Sequence, residues 1–119
     1  MTKQKFNIVS YVVYPFDVAI AFNMSYKSLR EKLFKLLPSE THVKIELLDG
    51  AYDAKTVMFS TGQTVIHFKT IDEGIVAHEV FHAVDFLMER IGCRLAEDSN
   101  EAYAYLVQYL TNKIYELKP

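Results

Sequence analysis

The sequence predicts an α+β domain with a small mixed sheet covered by helices, and three observations lead there. Runs rich in β-branched and aromatic residues crowd the first seventy positions. Two long stretches with apolar residues at helical spacing fill the rest. The chain has 119 residues, half of them hydrophobic and 24 % charged, which is ordinary globular composition with room for one core. Residues 1–119 are therefore expected to form a single domain.

"FNIVSYVVYPFDVAIAFN" (6–23) reads as strand, with Pro15 breaking or bulging it. The period then changes over "MSYKSLREKLFKLL" (24–37). Leu29, Leu33, Phe34 and Leu37 recur at helical spacing, Ser25 is the expected N-cap, and Pro38 marks the stop. "HVKIELLDG" (42–50) reads as a short strand closing in an Asp-Gly turn, and "KTVMFSTGQTVIHFKT" (55–70) as a hairpin around Thr61-Gly62.

From there the pattern is helical. "TIDE" (70–73) matches a capping box with Thr70 as N-cap and Glu73 as its partner, and Gly92 stands where a C′ glycine would end the helix. Ile75, Val76, Val80, Phe81, Val84 and Leu87 are its expected core face. "DSNE" (98–101) reads as a second capping box, opening a helix whose buried stripe is Tyr103, Leu106, Val107, Leu110, Ile114 and Leu117.

A net charge of −2 leaves no electrostatic footprint for nucleic acid or an anionic membrane. Cys93 is the lone cysteine, so no internal disulfide is possible and a reducing compartment is expected. The N-terminus lacks the apolar segment of a secretion signal, and no run is long enough to cross a bilayer. The expectation is a soluble cytoplasmic protein, or one carried in a virion.

The chemistry lies in "GIVAHEVFHAVDFLMERIG" (74–92), where His78, Glu79, His82 and Asp85 interrupt an apolar helix. "HEVFH" fits the H-E-x-x-H pattern in the helical context that pattern requires. Histidines four apart project from one face, so two imidazole nitrogens can reach one Zn²⁺ at about 2.0–2.1 Å. Glu79, roughly 100° round the helix from His78, is poorly placed as a ligand but well placed as a base toward a metal-held water. A solvated polar stripe is the plainer alternative.

A hydrolytic zinc site needs a third protein ligand. Glu101, separated from His82 by eighteen residues at the start of the next helix, is the candidate. Tyr105, Gln108 and Asn112 share its face, away from the apolar stripe. Glu101 could instead be the reciprocal partner in the capping box of Asp98, and Glu97 and Asp98 are alternative ligands.

"AHEVFHAVD" followed by "NEAYAYL" resembles a gluzincin metallopeptidase, the class that joins H-E-x-x-H to a downstream Glu. "HEVFHAVD" is similar to the active-site helix of anthrax lethal-factor-like peptidases. "NEA" is similar to the third-ligand segment of thermolysin-like enzymes, and the E-x-x-A of Glu101 to Ala104 to that of ImmA/IrrE-type peptidases. The resemblance covers residues 64 to 110. It implies a minimal zincin-like domain in which His78, His82 and Glu101 bind Zn²⁺ and Glu79 is the general base. Where thermolysin-like enzymes carry an Asp four residues after the ligand Glu, this chain has Tyr105. Tyr105 is the first choice as donor to the oxyanion, with Tyr103 behind it; simple packing with a wet hydroxyl is the alternative for each.

Asp85 is expected either to orient a ligand histidine or to pair with Arg94. His67 would line a substrate groove or, more simply, be an ordinary half-buried strand residue. In zincins the strand before the active-site helix often lies beside the substrate, which makes "TVIHFKT" the expected edge for an extended peptide. The sequence thus points to a zinc peptidase acting on a peptide or protein. Its rivals are a non-enzymatic interaction or structural module, such as a phage virion component or toxin–antitoxin partner, and a fold that uses metal only as a staple.

Overall fold

A computed structural model describes residues 3–12 and 14–119, the side chains of Glu40 and Thr41 excepted. Four strands form one sheet: β1 (Lys5–Ser10), β2 (Asp17–Phe22), β3 (Ala54–Met58) and β4 (Thr64–Phe68), in the order β1-β2-β4-β3. β1 and β3 pair antiparallel with β2 and β4, while β2 and β4 run parallel at the centre, so the expected mixed sheet is present. Helices cover both faces. α1 (Tyr26–Leu36) and a 3-10 segment (Ser39–Leu48) lie on one side, α2 (Glu73–Arg90) and α3 (Asn100–Leu117) on the other.

Alternation along the strands divides the core in two. Val18, Ile20, Phe22, Ile66 and Phe68 point toward α2 and α3, where they meet Val76, Val80, Val84, Leu87, Leu110 and Ile114. Ala19, Ala21, Val57 and Val65 point the other way, onto Leu29, Leu33, Ile45 and Leu48. The two inner strands are buried on both faces, so apolar residues fill both sides of them, with Thr64 and His67 the buried polar exceptions in β4.

The 6–23 run is two strands, with Pro15 in their connection; Val13 in that connection lies outside the described residues. Ser25 caps α1 by accepting from the Ser28 amide at 3.1 Å, as expected. The 55–70 hairpin is also present, closed where Gly62 takes a φ of +91° against the Phe16 ring. The strand expected over 42–50 is instead the 3-10 segment. Its buried residues are Ile45 and Leu48, three apart, whereas Val43 and Leu47 are exposed. A three-residue turn aligns that pair on one face, and a strand would not.

Both capping boxes are displaced. Asp72, not Thr70, caps α2 by accepting from the Ile75 amide at 2.9 Å, while the Thr70 amide bonds the Asp53 carbonyl at the end of the β3–β4 ladder. α3 begins one residue past Ser99, whose hydroxyl turns back to the Arg94 carbonyl and the Ala96 amide and caps nothing. Gly92 does take the left-handed conformation, φ +83°, just beyond α2. Phe81 leaves the core face assigned to it and is 47 % exposed, because the buried stripe of α2 runs through Val76, Val80, Ala83, Val84 and Leu87. Among the described residues no helix is long and apolar enough to cross a membrane.

Candidate metal and acid–base site

The site sits midway along α2, beside β3. His78 and His82 are one turn apart on the exposed side, and their Nε2 atoms approach to 3.1 Å. Either one Nε2–H donates to the other nitrogen, or both lone pairs face a shared cation. Two nitrogens on one tetrahedral zinc stand roughly 3.3 Å apart, close to the spacing observed. His82 is steadied by stacking on Phe86, ring centroids 6.0 Å apart, with Phe81 on its other flank at 6.5 Å.

Glu79 is oriented differently. The residue is buried, 6 % exposed, against β3, one of the two outer strands of the sheet. The Thr56 hydroxyl of β3 donates to Oε1 at 2.8 Å, and Oε2 lies 3.8 Å from His78 Nε2. One oxygen is thus pinned to the sheet while the other lies beside His78. The shallow pocket in front is lined by Asp53, Ala54, Gly74, Ile75, His78 and Glu79. Nothing in the sequence singled out Thr56. Strand alternation places it on the face of Ala54 and Met58, but which α2 residue it meets is a tertiary fact.

The α3 residues assigned to the site divide between the exposed and the buried sides of the helix. Glu101 is exposed in the first turn of α3, roughly half a turn round the helix from Tyr103 and Leu110, which pack inward. Among the described residues no third His, Cys, Asp or Glu joins the histidine pair in a group that could hold a metal. Tyr105 is 66 % exposed on the Glu101 side. Tyr103 is buried, its hydroxyl 3.4 Å from the Cys93 carbonyl beyond the end of α2; burial, then Asp85, Cys93 and Glu89, push its pKa up. His82 and Arg90 are already separated by roughly 12 Å of helix, so that hydroxyl belongs to the far end of α2. Asp85 is half-buried near Tyr103 and makes neither of the contacts expected of it.

His67 is a strand residue, as the simpler expectation has it, but fully buried and not half-buried. It is 1 % exposed at the centre of the sheet, and both ring nitrogens are occupied. The Met24 amide donates to Nε2 at 3.1 Å, which fixes the ring proton on Nδ1, 2.8 Å from the Tyr52 oxygen. Tyr52 then donates to the Leu48 carbonyl at 2.7 Å. Burial, then the charge of Lys69, lower the His67 pKa to about 4.

"TVIHFKT" is not an edge. β4 pairs with β2 on one side and β3 on the other, so the strand exposed beside the α2 site is β3. Compared with known protein families, curated proteins and solved structures, the chain matches none.

Proposed function

We propose that the chain is a minimal zinc-dependent peptidase of the gluzincin type. The observation that carries this reading is the approach of His78 and His82 Nε2 to 3.1 Å beside a buried carboxylate whose second oxygen lies 3.8 Å from His78 Nε2. A zinc ion held there would polarise a scissile carbonyl and acidify a water. Glu79 Oε2 accepts the proton and returns it to the leaving amine, while Thr56 holds Oε1 and so fixes which oxygen does this work. The substrate lies extended along β3, the edge strand next to Glu79.

Glu101 is the third ligand in this proposal and Tyr105 the oxyanion donor, both on sequence spacing alone. Glu101 forms no group with the pair among the described residues, so its ligation requires a rearrangement that brings them together.

The test is Glu79→Gln. Zinc binding is retained, and zinc-dependent hydrolysis of a quenched fluorescent peptide mixture falls by about 10²–10⁴-fold. Turnover equal to the unaltered chain rejects Glu79 as base. One observation favours a second reading, a metal-stapled interaction module: the Thr56–Glu79 bond also ties α2 to β3. In that case zinc raises the melting temperature of the unaltered chain and no peptide is cut.

A further inference from the structure

Thr56 also opens a second groove, which continues along β3 away from Glu79. Its lining includes Lys44 and Leu47 of the 3-10 segment, Lys55 and Met58 of β3, and Phe86 and Arg90 of α2, and its volume is about 620 Å³. The floor is backbone. The Phe59 amide bonds the Gln63 carbonyl, and the Lys69 amide bonds the Asp53 carbonyl. In an antiparallel ladder these bonded pairs alternate with non-bonded ones. Val57 and Lys55 therefore turn their polar backbone groups toward β4, and Ala54, Thr56 and Met58 turn theirs outward. Lys44 Nζ confirms the phase by donating to the Met58 carbonyl from outside at 3.2 Å. Among the described residues no segment pairs with this edge.

The charge is lopsided. Lys44, Lys55 and Arg90 share the groove with one carboxylate, Glu89, in a chain whose net charge is −2. Among the described residues none of the three cations has a carboxylate within ion-pair distance. Lys55 Nζ lies 5.9 Å from the Tyr52 ring and the Arg90 guanidinium 5.6 Å from the Phe16 ring, so two of them rest on aromatic faces. Leu47, half-exposed, and Phe86 supply apolar contact between the charges.

We infer that this groove selects an acidic segment of an extended peptide, which adds to the β3 edge through Thr56 and places Asp or Glu side chains among Lys44, Lys55 and Arg90. The inference rests on the peptidase reading for its consequence, since it names the substrate class of that site. Its test reads binding and does not need turnover.

Short fluorescein-labelled peptides sharing one apolar frame, with Asp, Asn or Lys at alternate positions, are titrated into the Glu79→Gln chain and followed by anisotropy. The Asp peptide binds about tenfold more tightly than the Asn peptide and more tightly still than the Lys peptide, and the advantage shrinks with added salt. Lys44→Gln combined with Arg90→Gln, both at exposed positions, removes most of the preference and leaves the Asn peptide unaffected. Equal binding of the three peptides, tighter binding of the Lys peptide, or no binding overturns the inference. Acid-selective binding with no cleavage by the zinc-loaded unaltered chain rejects the peptidase and keeps the groove; cleavage without acid preference does the reverse.

Discussion

The Thr56 hydroxyl donates to Oε1 of Glu79 across 2.8 Å, tying the edge strand of the sheet to the middle of α2. A carboxylate in a largely buried position needs such a partner, since an unsatisfied buried polar group costs about 1–3 kcal/mol. Thr56→Val keeps the shape and removes the donor. Urea unfolding of that variant should give a stability lower by about 1–3 kcal/mol, and Thr56→Ser should recover most of it. No loss in Thr56→Val would mean that the bond contributes nothing to holding Glu79.

His67 makes the fold acid-sensitive. A free imidazole titrates near 6.5, and in the fold this one titrates near 4, so above 6.5 both states are neutral and the full contribution is present. Between 6.5 and 4 the unfolded chain takes up a proton that the folded chain refuses. Stability therefore falls with pH across that window, by about 3 kcal/mol in all. Denaturant titrations across the window should show that slope, and His67→Gln should lack it. The same slope in both proteins would assign it to other groups.

Gly62 meets two constraints together. Its φ is +91°, and an added Cβ would sit 2.5 Å from the Phe16 ring. Gly62→Ala combines backbone strain with overpacking, and should lower stability by about 2–4 kcal/mol in thermal or urea unfolding. A variant as stable as the parent would show that this turn can take another form.

Val12 is the opposite case, a β-branched residue held at φ +69° and 77 % exposed. Its side chain buries almost nothing to offset the left-handed conformation. Val12→Asn, a residue that tolerates this region, should stabilise the fold by about 1 kcal/mol. A destabilised Val12→Asn would mean that the valine makes a contact worth more than the strain.

What the sequence disclosed follows how local each feature is. His78, Glu79 and His82 lie within one helical segment, so their mutual placement needs only the helix period. The helices, the 55–70 hairpin and most of the buried stripes were legible for the same reason. The 42–50 segment reads as strand because Val43, Ile45 and Leu47 alternate, whereas burial falls on Ile45 and Leu48. Thr56 was invisible because its partner lies twenty-three residues away on another element. Strand order was equally out of reach: β4 lies between β2 and β3, so the exposed edge of the sheet beside α2 is β3 and not "TVIHFKT". For Glu101 the apolar stripe of α3 already set the outward face, which the structure keeps; a helix–loop–helix span fixes reach but not whether that face meets the histidines.

The most direct measurement of the central claim is calorimetric titration of zinc into the metal-stripped chain, alongside His82→Ala. One zinc per chain should bind saturably, with the affinity weakened by orders of magnitude in His82→Ala. Absence of saturable binding, or equal affinity in the variant, would contradict it.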